Sequence, residues 1–191
     1  PLISYAGHEE NRPGSCGRPT DNVEIMVDSP DPENVAGELL VRGANVMLGY
    51  YKNPEETEMA LRDGWLHTGD ICNVDSEGFI YIRGRNKNMI LGPSGQNIYP
   101  EEIEQKLNNL PYVNESIVIE RDGKIIALVH PDYDLAQSQG LNDDDIKKQM
   151  DDNIAALNKE IPAYSQVAAV EIHEEEFEKT PKRSIRRFLY K

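Results

Sequence analysis

Apolar residues at Val23, Ile25 and Val27 alternate with polar ones, and Leu39 and Val41 repeat the pattern, so a period of two predicts short half-buried strands. Pro30 and Pro32 mark the connection between them. Asn53, followed by Pro54 at a first helical position and by Glu56 placed to complete a capping box, predicts a short helix over 54–62. The stretches 65–71 and 79–82 flank Asp75-Ser76-Glu77-Gly78 and predict a hairpin. This half reads as a β meander. Beyond it helix and strand periods alternate. Ile103, Leu107 and Leu110 share one face of a helix over 100–109, and 113–120 and 124–130 flank Arg121-Asp122-Gly123 as an antiparallel hairpin. Asn142 can cap a second helix, with Asp143 to Asp145 complementing its dipole and Ile146, Met150, Ile154, Leu157 and Ile161 forming its apolar stripe. A last strand is expected over 167–172, and 174–178 reads as a solvated acidic turn.

Residues 84–104 join the two halves. Gly84-Arg85-Asn86-Lys87 reads as a basic turn after the apolar run at 79–82. Gly92-Pro93-Ser94-Gly95 can bring backbone close to a ligand, because glycine has no side chain and carries positive φ cheaply. Pro100, Glu101 and Glu102 suit a helix start.

Composition narrows the classes. With 191 residues and 38% apolar content the chain makes one or two globular domains of mixed helix and strand, an α+β organisation. A net charge of −14 argues against nucleic acid and anionic membrane partners, which need a basic excess. Cys16 and Cys72 lie far apart, without metal-ligand spacing, and both read as packing residues in a reducing compartment. No metal site is expected. No apolar run approaches the roughly 20 residues of a membrane helix, and with no leader visible the cytoplasm is the default. No histidine has a partner carboxylate at a suggestive spacing, and none is assigned a catalytic role.

Six motifs stand in order: Gly37-Glu38-Leu39, Gly49-Tyr50-Tyr51, Trp65 to Asp70, Gly84-Arg85, Ser94-Gly95 and Pro100 to Glu104. In this order and spacing they resemble the AMP-forming acyl-CoA synthetase family of adenylate-forming enzymes, with wording most like bacterial long-chain-fatty-acid CoA ligases. The resemblance implies that 1–83 is the β-rich C-terminal part of a large adenylating domain, 84–87 a hinge and 88–191 a small mobile α+β C-terminal domain. It implies ATP and AMP, coenzyme A and Mg2+ as cofactors, fatty acid as substrate, and a missing N-terminal large domain as partner. Asp70 would accept hydrogen bonds from both ribose hydroxyls of ATP; the competing reading is an Asx-type turn. Arg85 would contact the same nucleotide, and is otherwise a surface arginine. Lys87 falls on the family's hinge position, though it can equally be a solvated charge. Ser94 and Gly95 resemble the turn lining the pantetheine passage.

The end of the chain departs from the family. A catalytic lysine is expected in a proline-threonine-glycine-lysine context, but here Lys179-Thr180-Pro181-Lys182-Arg183-Ser184 places Ser184 at the lysine, Arg183 at the glycine, and Arg187 at the closing arginine. Lys182 is the first substitute cation and Arg183 the second, on a segment expected to lack regular structure; a basic tail on an acidic surface is the competing reading. The glycine-, serine- and threonine-rich phosphate loop needed for adenylation does not occur. The expectation is therefore a C-terminal fragment, inactive alone, of an acyl-CoA synthetase. Two alternatives stay open: an adenylation domain loading a carrier protein, and a non-catalytic nucleotide-binding or interaction module.

Overall fold

The alternating residues pair as expected in the computed structural model, which describes residues 1–8 and 10–190. Strands β1 (Ser4–Tyr5) and β2 (Arg18–Pro19) form a small ribbon, and β3 (Val23–Asp28) runs antiparallel to β4 (Gly37–Gly43). Helix α1 (Pro54–Ala60) is followed by β5 (Leu61–Arg62), β6 (Trp65–Val74) and β7 (Ile80–Arg85), with β6 at the centre, between β4, β5 and β7. Val23, Val27, Leu39, Val41, Leu66 and Ile80 bury the inward side of this sheet. Their spacing by two is the alternation seen in the sequence. Phe79 is buried, with the Arg12 and Arg18 guanidinium carbons 4.1 and 4.5 Å from its ring centroid.

Two expectations fail here. Helix α1 stops at Ala60 rather than continuing to 62, because Leu61 and Arg62 pair with Leu66 and Trp65. Asp63 and Gly64 between them both have positive φ, 54° and 80°, the signature of a tight hairpin that an Asp-Gly pair favours. The reading of 84–87 as a turn also fails in its first half. Gly84 and Arg85 are still strand, paired with Ile71 and Asp70, and only Asn86–Asn88 form a 3-10 turn.

The chain divides by its contacts into two units, Pro1–Lys87 and Asn88–Lys191. In the second, β8 (Ile90–Leu91) and β9 (Asn97–Ile98) form a short hairpin, and α2 (Pro100–Leu107) leads into β10 (Val113–Arg121) and β11 (Lys124–Pro131). A short α3 (Tyr133–Ser138), capped by Asp132 and not foreseen, precedes α4 (Asp143–Glu160). Asn142 and Asp145 close a complete capping box on α4. That helix is the crossover delivering β12 (Ala169–Ile172) parallel to β11. One face of the sheet packs Val118, Ala127 and Val129 against Ile103, Leu107, Met150, Ile154 and Leu157, the two helical stripes. The other face buries Ile117, Ile119, Ile126 and Leu128 with Phe177. The segment 174–178 is thus not merely a solvated turn: Phe177 is 2% exposed and stacks on His173, with Tyr190 at its edge. The expectation for Cys16 also fails. Cys72 is fully buried and its thiol is pushed up to about 12 by desolvation, but Cys16 is exposed, because the ribbon carrying it lies at the surface.

Candidate functional site

The site begins with an irregularity between β4 and β6. From the pair Glu38↔Ile71 to the pair Leu40↔His67, β4 advances two residues while β6 advances four, so Thr68, Gly69 and Asp70 together face Leu39. Such a bulge takes backbone groups out of the ladder, and they need other partners. Side chains supply them. The Thr68 carbonyl accepts from Arg85 Nη1 at 2.8 Å, the Gly69 N–H donates to Glu38 Oε1 at 2.9 Å, and the Asp70 N–H donates to Thr68 Oγ1 at 3.0 Å. Thr68 Oγ1 donates in turn to the Leu39 carbonyl at 2.7 Å. Gly69 sits at φ +72°, which favours glycine; the space does not demand it, since a Cβ there would meet only Arg85 Nη1, at 3.5 Å.

The bulge carries Asp70 opposite Arg85, and Arg85 Nε lies 3.0 Å from Asp70 Oδ1. Asp70 and Arg85, the two residues singled out for nucleotide contact, are thus brought together as a register pair across β6 and β7. Gly69, Arg85, Asn86 and Lys87 line one open depression. Lys87 lies in the 3-10 turn at the end of the first unit. Sequence reasoning passed over Glu38 and Thr68. Glu38 belonged to a quoted motif, but its partners lie about thirty positions downstream, a separation that only strand pairing closes. His67 likewise has a carboxylate partner after all: its Nδ1 is 3.1 Å from Glu38 Oε2 and 2.9 Å from Arg62 Nη2.

In the second unit, Ser94 and Gly95 form the exposed tip of the β8–β9 hairpin, with Gly95 at φ +82° and open space around a Cβ built there. Lys182 and Arg183 occupy another tight turn. The segment expected to lack regular structure closes instead through a bridge between Lys179 and Ile185. The Thr180 N–H donates to the Ser184 carbonyl and the Arg183 N–H to the Thr180 carbonyl, each at 2.8 Å. Pro181 explains the difference, because its fixed φ prepares the second position of a turn rather than opposing order. Arg183 has φ +61°, a conformation suited to the glycine it replaces. The turn projects Lys182, Arg183 and Ser184 into solvent. Lys179 beneath it is held 2.7 Å from Glu115, which raises its pKa.

Arg187, by contrast, turns inward. It pairs with Glu104 and approaches the Val118 carbonyl at 3.5 Å, while Glu104 Oε1 accepts the Val118 N–H at 2.6 Å. Strand β10 is an edge of its sheet, and this pair occupies both backbone groups of Val118 as a neighbouring strand would. Among the described residues no group of three or more His, Cys, Asp or Glu could hold a metal ion. No helix of the described residues is long and apolar enough to cross a membrane.

Known proteins agree with this architecture. The long-chain-fatty-acid–CoA ligase of Bacillus subtilis (strain 168) is 42% identical over 114 residues, covering 57% of this chain and 20% of that protein. The feruloyl-CoA synthase of an Amycolatopsis species is 39% identical over 122 residues, 62% of this chain and 25% of that protein. The crystal structure of an anthranilate CoA ligase in complex with anthranoyl-AMP superposes with a TM-score of 0.80 at 26% identity, covering 97% of this chain and 35% of that one. The chain thus spans between a fifth and just over a third of the length of these proteins. Residues 2–51 match the family model of the AMP-binding enzymes and residues 87–190, more than half of the chain, match that of the AMP-binding enzyme C-terminal domain. On that match the chain belongs to the AMP-binding enzyme family.

Proposed function

We propose that the chain is the C-terminal part of an ATP-dependent acid–thiol ligase acting on long-chain fatty acids. The reaction would join a carboxylate to the AMP moiety of ATP with release of pyrophosphate, then pass the acyl group to the thiol of coenzyme A with release of AMP. The observation that carries this reading is the Asp70–Arg85 pair, whose arginine lines the open depression. A carboxylate has about four lone-pair sites, so Asp70 can serve both Arg85 and a ribose diol. Arg85, half exposed, can fork onto a ribose or phosphate oxygen. Lys87, where the chain passes from one unit to the other, is the proposed hinge, and Ser94 and Gly95 are assigned to the pantetheine passage. Lys182, with Arg183 behind it, would bring a cation between the substrate carboxylate and the α-phosphate, two anions that otherwise repel.

The chemistry of the acid rests on relatives alone. The fatty-acid ligase named above favours a long alkyl chain, and the feruloyl and anthranilate enzymes mark an aromatic acid as the alternative. The decisive test is ATP binding to the full-length protein carrying this chain. Asp70→Ala should weaken it by about 1.5–3 kcal/mol, the cost of losing a charged hydrogen-bond partner. An unchanged dissociation constant ends the ribose assignment. The 191-residue chain alone should not catalyse carboxylate-dependent exchange between pyrophosphate and ATP, and exchange above a blank would show that it needs no further domain. Measured separately in the full-length protein, adenylation should slow roughly 100-fold in Lys182→Ala while thioester formation from a preformed acyl-adenylate is spared. Ser184→Ala should leave both steps intact.

A further inference from the structure

Asp70 can meet a ribose only if the bulge beneath it keeps its shape, and that shape does not come from the strand ladder. Three backbone groups are held by three side chains, and two of these already have other duties: Thr68 is part of the bulge, and Arg85 belongs to the proposed nucleotide contact. The third is Glu38. Its side chain is 17% exposed, it reaches across from β4, and its Oε1 takes the Gly69 N–H, the amide immediately before Asp70. Gly69 is also the residue at positive φ, so this one hydrogen bond holds the backbone at the point where the chain reverses its ordinary conformation. Oε2 is engaged as well, 3.1 Å from His67 Nδ1, at the other end of the bulge. That nitrogen cannot both donate to Glu38 and accept from Arg62, 2.9 Å away, so the imidazole proton selects which neighbour it binds. In either case both carboxylate oxygens face the bulge: one fixes its middle and the other stands at its start.

We infer that Glu38 is a positioning residue for nucleotide binding, one that touches no substrate but sets the direction in which Asp70 faces the ribose. The inference rests on the ribose reading of Asp70 and adds to it the residue on which that reading depends. Leaving the Gly69 N–H without an acceptor favours backbone conformations in which Asp70 no longer sits opposite Arg85. Every such shift acts on ligand affinity through Asp70, not beside it.

A double-mutant cycle on ATP affinity in the full-length protein tests this. Glu38→Met keeps the length of the side chain and removes the acceptor, and should raise the ATP dissociation constant about tenfold, the usual scale for a partly buried donor left unpaired. Glu38→Gln keeps an oxygen for the Gly69 N–H and should restore affinity to within about twofold. In an Asp70→Ala background Glu38→Met should add nothing, because the route by which it acts is already gone. Equal losses in both backgrounds, or Met and Gln variants that bind alike, overturn the inference. If Asp70→Ala weakens binding and Glu38→Met does not, the inference falls and the ribose reading stands. If Asp70→Ala has no effect, both fall together. Should Glu38→Met unfold below the assay temperature, Glu38→Asp, whose reach is one methylene shorter, is carried through the same cycle with the same expected pattern.

Discussion

Two arginine–carboxylate pairs, Arg85–Asp70 in the first unit and Arg187–Glu104 in the second, have opposite surroundings. In the first unit Arg85 is 50% exposed and Asp70 29%; in the second Arg187 is 16% exposed and Glu104 9%. The chemistry of the groups is the same, so the difference lies in what water can reach. An exposed pair contributes little to stability, since solvent screens the attraction and either group can exchange its partner for a ligand. A buried pair has given up its hydration, and removing one member strands the other. Arg85 and Asp70 are therefore suited to bind, and Arg187 and Glu104 to hold: they clamp the C-terminal segment to the edge of β10 through the backbone of Val118. Both arginines resemble motif positions of one family, yet only burial tells which one is available to a ligand.

The largest expected effect breaks the buried pair. Glu104→Ala takes from the Arg187 guanidinium its nearest carboxylate, leaving Glu101 at 4.0 Å, and from the Val118 N–H its acceptor, and should cost about 3–5 kcal/mol, read as faster hydrogen exchange of the α2 and β10 amides with the first unit unaffected. Equal loosening of both units would show that the clamp is not local. Asp70→Ala should change stability by no more than about 1 kcal/mol while weakening the proposed nucleotide contact, and a larger loss would mean that the exposed pair is structural after all.

A smaller effect separates the pairs by pH. Burial raises the Glu104 carboxyl above its ordinary value, and the Arg187 charge and the two hydrogen bonds offset only part of this. A raised carboxyl favours the folded state while protonated; its contribution is whole below the unfolded pKa and is lost as pH rises through the folded one. The second unit should therefore lose protection over that window, and Glu104→Gln should remove this slope, as hydrogen exchange at successive pH values would show. A slope that survives in Glu104→Gln belongs to another group. The smallest effect concerns Arg183, which belongs to neither pair. Arg183→Gly should gain about 1 kcal/mol by relieving a left-handed residue, so a loss would mean that the arginine makes a contact worth more than its strain.

Much of this was legible in the chain itself, where the determining physics is local. Alternation marked β3 and β4, the apolar stripes marked α2 and α4, Asn142 and Asp145 marked a helix start, and Arg121-Asp122-Gly123 marked the turn between β10 and β11. Each depends on residues within a few positions of one another, so the sequence displays it directly. The motif at Trp65 to Asp70 and the Arg85 that follows resemble the family's nucleotide contacts, a role that stands as a proposal. Only the tertiary structure decided which groups serve them. Glu38 holds the Gly69 amide from another strand, Arg187 finds Glu104 across 83 positions, and Phe177 leaves an acidic turn to fill the second face of a sheet. Cys16 and Cys72 look alike in sequence, and one is exposed while the other is buried. Burial and long-range pairing are properties of a closed sheet, set by register and by two extra residues in β6, and no local pattern in the chain encodes their outcome.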